Sequence, residues 1–215
     1  MSGQKEANKA GAGKVGFATM LKLGIVLSLY AVAACVGLAF VYAGTERIIS
    51  QRQQADLEAS LLELFPDADS FRPIMGIISP DPAVSIDAEG AFAAVKNGQI
   101  IGAAVRTSRA SYNGAIRILT GVAVEGKISA VRILEHNETP GLGANAASSR
   151  YFVDRANRIS FYGQFAGKSV GDPFVVNRDV IIITASTITS RAVADSVRAA
   201  GEAASVWFAL EGGSR

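Results

Sequence analysis

Cysteine and histidine are almost missing from this chain, with one of each in 215 residues. A lone Cys35 closes no intrachain disulfide and cannot by itself hold an iron–sulfur cluster. A lone His136 cannot build a multi-histidine zinc site, so no metal centre is expected. A Ser-His-Asp triad drawn through His136 would lack the Gly-x-Ser-x-Gly elbow that exposes a nucleophile. The neighbouring Glu135 and Glu138 read as loop-ordering or solvated carboxylates rather than an acid–base pair. An excess of one charge is lacking too: 21 basic and 19 acidic residues leave a net +2. They form no basic stripe or tail, which argues against nucleic acid as a partner. Proline is scarce outside one stretch, for Pro66, Pro73, Pro80 and Pro82 are four of only six.

What the chain has in excess is apolar residues, 49% of the total. They concentrate between Leu23 and Thr45, a stretch without a charge bounded by Lys22 and Glu46. At about 1.5 Å rise per residue such a helix measures roughly 34 Å, enough to cross a hydrocarbon core of about 30 Å. Lys5, Lys9, Lys14 and Lys22 precede the span, whereas only Arg47 and Arg52 closely follow it. The bias in basic residues predicts a cytoplasmic N-terminus, with the bulk of the chain across the membrane. A cleaved signal peptide fits less well because the apolar run is too long for a signal core. Val32-Ala33-Ala34-Cys35 looks like a lipobox, yet further apolar residues through Val41 follow Cys35, which a lipidated N-terminus does not need.

The expected organisation is a tail over residues 1–22, a transmembrane helix over 23–45, a helix and connector over 46–87, and a soluble domain over 88–215. Thr45 to Phe65 has helical periodicity and stops at Pro66-Asp67. The proline-rich connector leaves room for one short strand at Ile74–Ile78. From Ala91 the period becomes that of strands: Asn97-Gly98 joins Phe92–Lys96 to Gln99–Val105 in a hairpin, and Glu125-Gly126 joins Ala115–Val124 to Lys127–Leu134. Four strands would form an antiparallel sheet with one buried face. After them come a helix at Ala146–Asn157, its continuation or restart at Phe161–Phe165, a turn at Gly167–Asp172, a short strand at Phe174–Asn177, a buried strand at Val180–Ile183 and an amphipathic helix at Arg191–Leu210. The class is α+β, a single N-terminal transmembrane helix followed by a soluble domain with an antiparallel sheet and packed helices on one face.

Two stretches carry chemistry. Thr184-Ala185-Ser186-Thr187-Ile188-Thr189-Ser190 passes from an apolar run into the last helix. A helix N-terminus offers unpaired N–H groups and a positive dipole end that favour a phosphate, and small Ala185 and Ser186 would let it approach the backbone. The same hydroxyls also suit simple helix capping, and local physics leaves both readings open. The second stretch, Glu135 to Asn145, is a polar turn-rich loop; its Gly141-Leu142-Gly143 lacks the third glycine of a dinucleotide fingerprint and reads as a tight turn.

Taken together, the His136-Asn137-Glu138-Thr139-Pro140-Gly141-Leu142-Gly143 loop and the hydroxyl segment resemble the FMN-binding domain of the RnfG and NqrC subunits of membrane ion-translocating electron-transport complexes, and the short length favours RnfG. The single N-terminal span and Tyr112-Asn113-Gly114-Ala115-Ile116 agree with it. The resemblance implies FMN carried covalently through a phosphoester on Thr187, attached by a separate flavin transferase. It places Thr184, Ala185 and Ser186 beside the attachment point, and Glu138, Thr139, Gly141, Leu142 and Gly143 against the cofactor, Leu142 as its apolar contact. It further implies an electron-transfer flavoprotein in a bacterial inner membrane, its FMN domain periplasmic, its partners the other subunits of an Rnf-type translocase, and no complete catalytic site of its own. Three departures from the family pattern stand out: Ala185 for the usual Gly, Ser186 for the usual Ala, and Ile181 where an Asp often precedes. Those at Ala185 and Ile181 motivate a second reading, a flavin-free membrane-anchored binding or scaffolding module of the same fold.

Overall fold

The computed structural model describes residues 16–212; of the expected tail over 1–22, residues 1–15 lie outside them, and Phe17 to Lys22 belong to the first helix. The chain divides into two compact units after Ala55. Helix α1 (Phe17–Leu64) runs through the first and into the second, and its part in the first contains a segment, Thr19–Thr45, long and apolar enough to cross a membrane. Apolar side chains such as Leu27, Tyr30, Leu38 and Phe40 point outward from it, as a lipid-facing helix requires. The helix stops at Leu64, two residues before Pro66, because a residue preceding proline is pushed out of the helical region.

The second unit is built on one antiparallel meander of five strands: β1 (Ser70–Ile74), β2 (Val84–Lys96), β3 (Gln99–Ser111), β4 (Gly114–Ala123) and β5 (Ile128–Glu135), paired in that order. Asn97 and Gly98 both have positive φ, 51° and 79°, the geometry of a type I′ turn, and Lys96 faces Gln99 across it. The expected strand at Ile74–Ile78 lies earlier, as β1. Pro73 is tolerated there because β1 is an edge strand, where a missing N–H leaves no ladder bond broken in the interior of the sheet.

On one face of the sheet, Ala91, Ala93, Val105, Ile116, Ile118 and Val131 pack against helix α2 (Thr187–Gly212) through Val193, Val197, Ala200 and Ala204, all buried. The other face is also partly covered, contrary to the expected single buried face. Ala94, Ala104 and Leu119 meet Leu61, Leu64 and Phe65 at the end of α1. Gly102 permits this approach: a Cβ there would overlap the Phe65 ring and stand 2.8 Å from the Val122 carbonyl oxygen.

Three other expectations fail for local reasons. Ala146–Asn157 is not a helix: a 3-10 turn occupies Gly143–Ala147 and a short strand β6 (Phe152–Asp154) pairs with β7 (Ile159–Ser160). Here Ser148 Oγ accepts the Arg150 N–H at 3.2 Å and Asp154 accepts the Asn157 N–H at 3.1 Å, so side chains satisfy the backbone in place of a helical ladder. Val180–Ile183 forms no strand. Val180 makes one isolated bridge to Val176, and the Gln164 side-chain amide instead clamps Ile181, accepting its N–H at 2.8 Å and donating to its carbonyl at 3.0 Å. Phe174–Asn177 likewise forms no strand: it is irregular and leads into a turn over residues 177–179, with the Asp179 carboxylate accepting the N–H groups of Phe174 and Val175 at 2.9 and 2.6 Å.

The polar side of α2 is more engaged than its sequence suggests. Arg109 on β3 donates to Asp195 at 2.8 Å, and Arg198 donates to Asp81 of the connector at 2.9 Å and to Glu202 at 3.2 Å. Asp81 thus ties the connector to α2, with Arg109 3.8 Å away. These groups are partly shielded, so the pairs contribute more than exposed ones. Asp81→Ala is expected to lower stability by about 1–2 kcal/mol, measured by chemical denaturation of the detergent-solubilised chain.

Candidate functional site

Helix α2 begins at Thr187, so the hydroxyl segment forms its first turn and the bend before it. The Ser186 N–H donates to the Ile183 carbonyl at 3.0 Å, closing that bend. Ser190 locks it: its Oγ accepts the Ile183 N–H at 3.0 Å and donates to the Ser186 carbonyl at 2.9 Å. Ser190, folded back from inside the helix, therefore braces the bend before it and caps no first-turn amide. The amides of Thr187, Ile188 and Thr189 lie in the first turn, where no intrahelical acceptor exists.

Ala185 has φ 59°, in the left-handed region that an L side chain adopts at a cost of roughly 1–2 kcal/mol. The bend demands glycine-like geometry at the position where the family pattern has glycine. Ala185→Gly is expected to stabilise the fold by about 0.5–1 kcal/mol, the relief being offset in part by the greater freedom of glycine in the unfolded chain; equilibrium denaturation reads it directly.

The loop lies against this turn although 51 positions separate the two in sequence: Thr189 Oγ1 donates to Glu138 Oε2 at 3.0 Å. Both groups are buried, Glu138 being 7% exposed, so the bond satisfies a carboxylate that water scarcely reaches. Gly143 sits directly against the pair. Behind it the loop is a closed turn, the Thr139 carbonyl accepting the N–H groups of Leu142 and Ala144 at 3.1 and 3.2 Å.

Between loop and helix end lies a cleft of about 470 Å³, lined by Tyr112, Glu138, Thr139, Leu142, Gly143 and residues 185–189. Of the sequence-expected residues, Glu138, Thr139, Leu142, Gly143, Ala185, Ser186 and Thr187 come together there. Thr184 and Gly141 do not line it; Gly141, at φ 79°, turns the loop, and its carbonyl accepts the Asn145 side-chain amide at 2.9 Å. Three lining residues have no site role in the sequence reading: Tyr112 stands there only in a stretch that agrees with the family, Thr189 only among hydroxyls suited to capping, and nothing marks Ile188. Tyr112 is 71%, Ile188 56% and Leu142 42% exposed. Three large apolar groups bared around one cleft are the arrangement expected for a flat, largely apolar ligand.

The hydroxyls differ in access. Thr187 is exposed on the cleft, Ser186 is 7% exposed, and Thr189 is committed to Glu138. The site therefore combines an accessible alcohol, unpaired helix-end amides and an apolar rim. It suits a phosphorylated aromatic group, and its volume falls in the usual range for such ligands, about 300–1,000 Å³.

The FMN-binding domain family matches residues 111–202, and the RnfG N-terminal region matches residues 13–64. The G subunit of the Na(+)-translocating ferredoxin:NAD(+) oxidoreductase complex of Acetobacterium woodii is 30% identical over 204 residues, covering 86% of this chain and 91% of that one. The G subunit of the ion-translocating oxidoreductase complex of Aliivibrio fischeri is 32% identical over 200 residues, covering 88% and 90%. The chain belongs to the RnfG family, the G subunits of ion-translocating oxidoreductase complexes. The crystal structure of Shewanella oneidensis NqrC matches 68% of this chain and 73% of its own at a TM-score of 0.45 and 16% identity. Within the RnfG assignment, the FMN-binding match contains every residue lining the cleft.

Proposed function

We propose that this chain is the membrane-anchored, FMN-carrying electron-transfer subunit of an Rnf-type ion-translocating oxidoreductase, with the flavin joined through a phosphoester to Thr187. The observation that carries the reading is the exposed Thr187 hydroxyl on a helix N-terminus, opening onto a cleft with a bare apolar rim. FMN would supply the redox chemistry, accepting and passing electrons. The chain's own part is to hold, orient and shelter it. Thr187 fixes the phosphate end, and the first-turn amides face the phosphate charge. Leu142, Ile188 and Tyr112 contact the ring, while Thr139 and nearby backbone groups offer polar contacts. Glu138 and Thr189 keep the two walls of the cleft together. No side chain here is asked to act as acid or base.

In this reading residues 23–45 anchor the chain in a bacterial inner membrane, 46–87 connect, and 88–215 carry the flavin. The lysines before the span put the N-terminus in the cytoplasm and the flavin in the periplasm. Electron donors, acceptors and the ion path belong to the other subunits, and a flavin transferase installs the cofactor.

The departures at Ala185 and Ile181 favour a second reading, a flavin-free binding or scaffolding module. The two are separated by producing the chain with a flavin transferase, viewing a denaturing gel under ultraviolet light and weighing the intact chain. A fluorescent band whose mass exceeds that of the bare chain by one FMN less one water supports the flavoprotein; a dark band of unmodified mass leaves the scaffold.

A further inference from the structure

A second, smaller depression of about 190 Å³ lies on the other side of Thr187, lined by Arg109, Ala110, Thr187, Ile188, Arg191 and Ala192. Thr187 and Ile188 also line the large cleft, so they form the ridge between the two. The β3–β4 hairpin backs both, placing Tyr112 at the large cleft and Arg109 and Ala110 at the small depression.

The two arginines are not equivalent. The Arg109 guanidinium lies 2.8 Å from Asp195 and 3.8 Å from Asp81, so its charge is already matched. Arg191 is exposed and forms no ion pair among the described residues. It stands four positions after Thr187, on the same helix face one turn on, and helical side chains lean towards the N-terminus. Its uncompensated charge is thereby directed at the Thr187 hydroxyl. The large cleft offers the opposite character beside the same hydroxyl: an apolar rim and a buried carboxylate, Glu138, which would repel an anion.

We infer that the ridge sorts the two ends of the flavin: the ring enters the large cleft, and the phosphate esterified to Thr187 lies in the small depression, where Arg191 is its counter-charge and the half-buried Arg109 the wall behind it. The inference rests on the FMN reading above and adds to it a positioning residue and a side of the ridge. A phosphodiester keeps one negative charge, and a guanidinium can match two of its oxygens at once.

The test uses the full chain in detergent after treatment with a flavin transferase and FAD, comparing wild type, Arg191→Gln and Arg191→Lys by intact mass and by the phosphorus-31 resonance of the attached flavin. The expected result is a labelled Arg191→Gln chain whose phosphorus resonance is displaced from wild type, with Arg191→Lys nearer to wild type. Superimposable phosphorus spectra for wild type and Arg191→Gln overturn the assignment while leaving the flavoprotein intact. Should Arg191→Gln take no label, Arg191→Lys decides: labelling shows that the charge is what the phosphate needs, and its failure overturns the inference. A wild-type chain without label sinks the FMN reading and this inference with it, a result distinguishable from all the others.

Discussion

Replacing Thr187 by Val should reduce the covalent flavin label to background while leaving the domain folded. Valine keeps the shape of threonine and removes only the nucleophilic oxygen, so loss of label reports chemistry and not packing. The position is exposed and opens α2, and its hydroxyl is not part of the bonds from Ser190 and Thr189 that hold this turn. Its effect on stability should stay within about 0.5 kcal/mol, as for most surface substitutions. The neighbouring hydroxyls are poor substitutes. Ser186 is nearly enclosed, Thr189 is bonded to Glu138, and Ser190 is buried with both its donor and its acceptor in use. Thr184 is exposed but stands outside the residues lining the cleft. In-gel fluorescence and peptide mass spectrometry check the prediction; a Thr187→Val chain still labelled at full yield would move the attachment site, and the modified peptide would say where.

The second large effect is expected at Gly143. A Cβ there would overlap the Glu138 carboxylate and come within 2.7 Å of the Thr189 hydroxyl, so Gly143→Ala must part the pair that joins loop to helix. Overpacking costs about 1–3 kcal/mol, and a buried carboxylate deprived of its donor adds a penalty of similar size. A loss of about 3 kcal/mol is the expected sum, seen as a lower denaturation midpoint with unchanged slope. Labelling should fall as well, because Glu138, Thr139 and Leu142 move with the loop. Gly141→Ala is the informative comparison. Gly141 has open space around its Cβ position but a positive φ, so the same substitution should cost only the backbone strain, about 1–2 kcal/mol. If both variants lost the same stability, steric closure at Gly143 would not be what holds the walls of the cleft together.

The sequence made some of this legible because short-range rules decide it. The span, the Asn97-Gly98 turn and the apolar face of α2 follow from length, positive φ and periodicity, and each appears where expected. The failures share a different cause. The apolar, β-branched residues 180–183 have strand propensity, but a strand needs a neighbour, and the Gln164 amide takes that place. The alanines after Gly143 favour a helix until Ser148 and Asp154 bind nearby backbone. The second covered face of the sheet is set by Leu61, Leu64 and Phe65, residues whose partners lie about 30 or more positions away. The site divides in the same way: its loop and its hydroxyl segment are recognisable as words in the sequence, whereas Tyr112 and Ile188 gain meaning only once a cleft exists for them to border.

The bond between Thr189 and Glu138 also bears on the order of events in making the protein. It joins residues 51 positions apart, so the cleft comes into being only after β5, the loop and the irregular segment have all been laid down and α2 has docked. Before that moment Thr187 is one hydroxyl among several on an unfolded chain, with neither a ring pocket nor a fixed helix end beside it. Any enzyme that reads this geometry would modify finished domains and pass over nascent or misfolded ones, and a flavin joined at Thr187 under the proposed function would then be a lasting record that folding was completed.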